Sequence, residues 1–207
     1  MAYNVVEVRG AVKHFGETRA VDGVDLTVQT GELFGLIGHN GAGKTTLFKM
    51  MLGLLPATCG DIRIDSQPVR GEAFRQVRRG IGYLPESLAL YDNLSGLEIM
   101  LFFARLKAAD PRSCLPLLGK VGLADAARRR VRGYSKGMRQ RLGFAQALLG
   151  SPRLLFLDEP TNGLDPQGIR EFYQILRELR EQGVTAILSS HILAEIQLRV
   201  DRLALMR

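Results

Sequence analysis

One stretch of this sequence constrains the fold more than any other. Residues 38–45 read GHNGAGKT, which fits the spacing G-x-x-x-x-G-K-[ST]. The residues before it, LFGLIG at 33–38, are a short continuous apolar run of the kind that forms a strand buried on both faces. After it, Leu47, Met50, Met51 and Leu54 recur at helical spacing. A buried strand, a glycine-rich turn and a helix, in that order, aim a ring of backbone N–H groups and a helix N-terminus at an anion. The pattern predicts a phosphate-binding loop. Lys44 would hold β- and γ-phosphates as a point charge, and the Thr45 hydroxyl would ligate Mg²⁺. Gly38, Asn40, Gly41, Gly43 and Thr46 complete the set of expected nucleotide contacts.

A second motif supplies the other half of such a site. LLFLDEP at 154–160 is an apolar strand ending in two acids, which a parallel sheet exposes at its C-terminal edge beside the phosphate loop. Asp158 is expected to hold Mg²⁺, and Glu159 to take the proton from an attacking water, an effect typically worth about 10²–10⁴-fold in rate. Further buried strands are expected at 80–85 and 185–190, and exposed alternating strands at VVEVR, VDLTV and GDIRID. GDIRID is expected at a sheet edge. Residues 93–149 read as mostly helix, and 167–182 as an amphipathic helix. The expectation is therefore an α/β fold: a P-loop core with a mixed, mainly parallel sheet, an antiparallel N-terminal β portion and a helical sub-domain at about 88–150. The 207 residues suit one domain.

Composition excludes several classes. With 46% hydrophobic residues the chain is too apolar to be disordered. No apolar run approaches the roughly 20 residues needed to span a bilayer, and the N-terminus lacks signal-peptide character. Cys59 and Cys114 stand far apart with no CxxC pattern, which suits free thiols in a reducing compartment. The net charge of +7 is local: residues 105–141 hold 11 of the 28 bases against two acids, Asp110 and Asp125. Arg128, Arg129, Arg130 and Arg132, read as part of a helical region, allow three explanations: a solvated face, contact with a membrane subunit or anionic headgroups, or nucleic acid. No aromatic platforms interleave with these arginines, which disfavours the last.

The order of motifs carries a resemblance. YSKGMRQR (134–141), LLFLDEP, NGLD (162–165) and His191 after TAILSS follow the phosphate loop in the order found in nucleotide-binding subunits of ABC transporters, and the chain resembles that family over essentially its whole length. Within the family its motifs are similar to the ATPase (NosF) of the ABC complex for nitrous oxide reductase maturation, and to ABC-2 type drug and polysaccharide exporter ATPases. The resemblance implies an ATPase that binds ATP and Mg²⁺ as a head-to-tail homodimer, peripheral on the cytoplasmic face of the inner membrane. Its partners would be a separate integral-membrane permease and, through that complex, a periplasmic maturation factor. Ser135 and Gly137 would cap the γ-phosphate bound by the other copy, Asp165 would orient the loop across the dimer, and His191 would contact the γ-phosphate and position water. Phe15 would stack on adenine or else be core. Glu86 stands where the family has a glutamine, and would act as a metal ligand that links nucleotide state to the permease. Tyr134, Lys136 and Met138 depart from the signature consensus LSGGQ. The family usually continues past DRLALMR, so C-terminal residues are expected to be missing. A soluble ABC ATPase acting on DNA or ribosomes is disfavoured, because the chain has one domain and no sustained heptads. A GTPase is disfavoured because no NKxD motif is present.

Overall fold

The computed structural model describes residues 3–207. Its strands form two separate sheets, so the antiparallel and parallel pairings expected of one mixed sheet are divided between them. β1 (Asn4–Phe15) and β2 (Thr18–Gln29) pair antiparallel as a long hairpin. The turn between them needs positive φ, and Gly16 supplies it at 58°. β3 (Leu33–Ile37) leads into the glycine loop, and α1 (Lys44–Met51) leaves it. β4 (Cys59–Ile64) pairs with β1 on one side and with the two-residue β5 (Gln67–Pro68) on the other. It is therefore flanked rather than the sheet edge that its alternation suggested. Ile62 and Ile64 still point inward.

The second sheet adds β6 (Ile81–Leu84), β7 (Leu154–Leu157), β8 (Thr185–Ser190) and β9 (Arg202–Leu205) in the order β6-β7-β8-β3-β9. Every pairing in it is parallel. β3, β7 and β8 are buried along their whole length, which is why their sequences are continuous apolar runs. Parallel register carries the loops after β3, β6, β7 and β8 to one edge, and that edge gathers the site.

Two apolar clusters hold the layers together. α1 packs between the sheets through Leu47, Phe48, Met50 and Met51, with Phe48 edge-on to Phe156 at 5.4 Å. The other sheet face is covered by α3 (Gly96–Lys107), α4 (Cys114–Lys120), α5 (Lys136–Ala147) and α6 (Pro166–Glu181). Between β5 and β6, α2 (Gly71–Arg79) has no counterpart in the sequence reading, because Phe74 alone anchors it among charged residues. A short α7 (Leu193–Ile196) precedes β9.

The stretch expected to be mostly helix is interrupted. Residues 121–135 are turns and a single 3₁₀ turn, so Arg128–Arg130 do not lie on a helix. Backbone bonds tie this segment to the start of α3: Leu97 N to Ala127 O, Val131 N to Leu94 O and Arg132 N to Asp92 O. α5 lies on the sheet itself, since a Cβ at Gly82 of β6 would collide with the Ala147 carbonyl. Among the described residues no helix is long and apolar enough to cross a membrane.

Candidate active site

The glycine loop closes because its glycines adopt angles other residues avoid. Gly41 and Gly43 both sit at φ 90°. Gly43 caps α1, and a Cβ there would run into the Ala20 carbonyl of β2. Lys44 is buried and folds back over the loop, donating to the Gly38 carbonyl at 2.6 Å and the His39 carbonyl at 3.2 Å. Its third neighbour is Glu159 Oε1 at 3.4 Å. Thr45 donates its hydroxyl to Asp158 Oδ2 at 2.7 Å, and Thr46 follows, half-buried, in the first turn of α1. Gly38 is buried; Asn40 and Gly41 are exposed at the rim.

The two acids are both buried and share the Ser189 hydroxyl, but they are held differently. Asp158 is fully buried and accepts a second bond at 2.5 Å, from Ser189 Oγ of β8. Glu159 takes a left-handed backbone at φ 47°, unusual outside glycine and worth about 1–3 kcal/mol of strain. That conformation is held in three ways. Its N–H donates to Ser189 Oγ at 2.8 Å, its carbonyl accepts from Gln140 Nε2 at 3.4 Å, and Gln140 also donates to the Pro160 carbonyl at 3.0 Å. The turn aims the carboxylate between Lys44 and His191, whose Nδ1 lies 2.8 Å from Glu159 Oε2. Glu159 Oε1 is buried without a hydrogen bond of its own.

This donor set fits a hard cation. Thr45 Oγ1 and Asp158 Oδ2 converge within 2.7 Å, and among the described residues no group of three His, Cys, Asp or Glu forms a complete protein cage. Mg²⁺ is held in that way, by one or two protein oxygens with substrate phosphates and water completing the octahedron. Glu86 lies in the loop after β6 and is exposed. Both it and Asp158 act on Tyr83, whose hydroxyl is pushed up to about 12 by burial first and then by these two charges.

The chain matches the ABC transporter family over residues 21–162. It is 42% identical over 205 residues to an uncharacterized ABC transporter ATP-binding protein of Bacillus subtilis, covering 98% of this chain and 67% of that one. It is 39% identical over 197 residues to the lantibiotic transport ATP-binding protein SrtF of Streptococcus pyogenes, covering 95% of this chain and 84% of SrtF. It is 39% identical over 207 residues to the bacitracin transport ATP-binding protein BcrA of Bacillus licheniformis, covering 97% and 66%. A solved ATP-binding subunit of an ABC transporter superposes with TM-score 0.87 at 30% identity, over 98% of this chain and 86% of that one. The chain belongs to the ABC transporter ATP-binding family.

In this ABC ATPase the remaining expected residues lie on other elements than the phosphate loop. Ser135 caps α5 by accepting from Met138 N at 3.2 Å. The closest neighbour of Gly137 across the chain is the Gly163 carbonyl, and a Cβ there would meet it at 2.9 Å. Asp165 caps α6 by accepting from Gly168 N at 2.8 Å. Phe15, at the end of β1, is 51% exposed and therefore not a core residue, with Lys13 Nζ 5.3 Å from its ring centroid. Of the signature departures, Tyr134 is buried and donates to the Ala126 carbonyl at 2.7 Å. Two residues of this ABC ATPase were given no role in the sequence reading: Ser189, the hydroxyl shared by both acids, and Gln140, which fixes the turn behind Glu159. The first could have been flagged by its place at the end of a buried strand, directly before Ser190 and His191. Gln140 shows no such signal, because its partners lie 19 and 20 residues away.

Proposed function

We propose that this ABC ATPase hydrolyses ATP between two head-to-tail copies and thereby drives a separate membrane permease on the cytoplasmic side of the membrane. The observation that carries the reading is Glu159, a buried carboxylate on a strained turn, aimed between Lys44 and His191, with an Oε1 that is ion-paired to Lys44 at 3.4 Å but accepts no hydrogen bond. Lys44 and the loop N–H groups hold the β- and γ-phosphates; Thr45, Asp158 and, from the next loop, Glu86 hold Mg²⁺. The metal, when bound, neutralises charge on the phosphate oxygens. Glu159 accepts the proton of the attacking water through Oε1, and His191 orients both Glu159 and the γ-phosphate. Ser135 and Gly137 of the other copy close over that phosphate, Asp165 steadies the junction, and Phe15 offers an exposed ring to the adenine.

The permease docks in the apolar groove of about 340 Å³ lined by Leu54, Tyr83, Phe103 and Leu106. Arg78 and Lys107 line the same groove, so an amphipathic helix with an acidic flank is its complement. For cargo, the names of SrtF and BcrA favour an ABC-2 type exporter of lantibiotic- or bacitracin-like compounds. A role in nitrous oxide reductase maturation rests on motif similarity alone.

Glu159→Gln tests the mechanism. It should bind ATP and dimerise, yet hydrolyse about 10²–10⁴-fold more slowly. Turnover near the parent value would remove Glu159 as the base.

A further inference from the structure

Phe15 stands half-exposed at the tip of the β1–β2 hairpin, and a side chain so placed is ordinarily free to change rotamer. Lys13 limits that freedom. Its Nζ lies 5.3 Å from the ring centroid, inside the roughly 6 Å at which a cation is attracted to an aromatic face. The same ammonium donates to the Pro56 carbonyl at 2.8 Å. That partner is neutral, so the charge remains to act on the ring.

Pro56 belongs to the segment that leaves α1, the helix that begins at Lys44. The neighbouring backbone is tied to that segment as well: Thr58 N donates to Val12 O at 2.8 Å, and Thr58 Oγ1 accepts from His14 N at 3.1 Å. The hairpin tip is therefore moored beyond the C-terminal end of the phosphate-loop helix. At the other end of that helix, Gly43 sits against the Ala20 carbonyl, while Phe15 pairs with Thr18, two residues along the same strand. At about 3.4 Å per residue the ring stands about 7 Å beyond the loop along β2, a gap that a ribose bridges.

We propose that Lys13 is a positioning residue for the adenine of ATP: its ammonium covers one face of Phe15, holds the ring through the bond to Pro56, and leaves the opposite face for stacking. The proposal rests on the adenine site assigned to Phe15 above. Lys13 acts through the ring and not on the phosphates, so its effect is confined to ligands that carry a base.

The test is calorimetry of the full chain with Mg-ATP and with Mg-tripolyphosphate, which has the phosphates and no base. Lys13→Ala should weaken ATP binding about two- to fivefold, the loss of one exposed cation–π contact, and leave tripolyphosphate affinity within about 1.5-fold. Lys13→Arg, which keeps a cation, should restore ATP binding. In the Phe15→Ala background Lys13→Ala should change nothing further. In the ATPase assay KM should rise while kcat at saturating ATP is unchanged. Equal weakening of ATP and tripolyphosphate would make Lys13 a general attractor of phosphate and overturn the inference. So would ATP affinity at the parent value, or an undiminished Lys13→Ala effect in the absence of the Phe15 ring. If Phe15→Ala itself leaves the ratio of the two affinities at the parent value, the adenine reading fails, and this inference with it.

Discussion

Ser189→Ala is the most informative single change, because it removes one hydroxyl that serves both acids. Ser189 is fully buried; it donates to Asp158 Oδ1 at 2.5 Å and accepts from Glu159 N at 2.8 Å. Alanine leaves a carboxylate oxygen and a backbone N–H without that partner in a buried position. Each unsatisfied buried group costs about 1–3 kcal/mol, the charged one at the upper end. Asp158 keeps its Thr45 donor, so the sum is about 3–5 kcal/mol. For a chain of this length that lowers Tm by about 6–20 °C. Turnover should fall further than stability alone explains, because the strained turn at Glu159 loses one of its three holders. Differential scanning fluorimetry and steady-state ATPase assays measure the two effects. Ser190→Ala is the control: its hydroxyl bonds only to Ile192 backbone at 3.0 and 3.4 Å. A Ser189→Ala protein with parent Tm and parent turnover would refute the claim that this hydroxyl organises the acidic turn.

Two further outcomes are expected. Leu106→Asp puts a carboxylate on the apolar groove at a side chain that is 69% exposed, so ATP binding should persist while co-purification with the permease falls; unchanged co-purification would move the docking surface elsewhere. Glu98 lies in a capping box and accepts from Ser95 N and Oγ, bonds that hold its carboxyl below the usual carboxylate range. A lowered folded pKa means a stabilisation present above the unfolded value of about 4.3 and lost as pH falls through the folded one. The Tm difference between the parent and Glu98→Gln should therefore shrink between about pH 5 and pH 3, and a constant difference would exclude the linkage.

What the sequence made legible was local. Consecutive residues carry the phosphate loop and the apolar strand ending in Asp158 and Glu159, and each has a short-range physical signature. What it hid was long-range. Ser189 reaches Asp158 across 31 positions, because β7 and β8 run side by side in register. Nothing in RLAL announces that β9 will pair with β3 rather than start something new. α2 went unread because one phenylalanine does not make a periodicity. The arginine-rich stretch was expected in a helical region, yet backbone bonds to residues 92–97 pull it into turns, and propensity lost to that pairing.

The contact between Gly137 and Gly163 has a mechanical consequence. At that spacing the two backbones pack directly against each other, and Gln140, one turn along the same helix, donates to the carbonyls of Glu159 and Pro160. The acidic turn of a copy's own site and the surface that it would present to its neighbour are thus joined by direct contacts within one protomer. The two ATP sites would then be geared together inside each protomer rather than only across the interface.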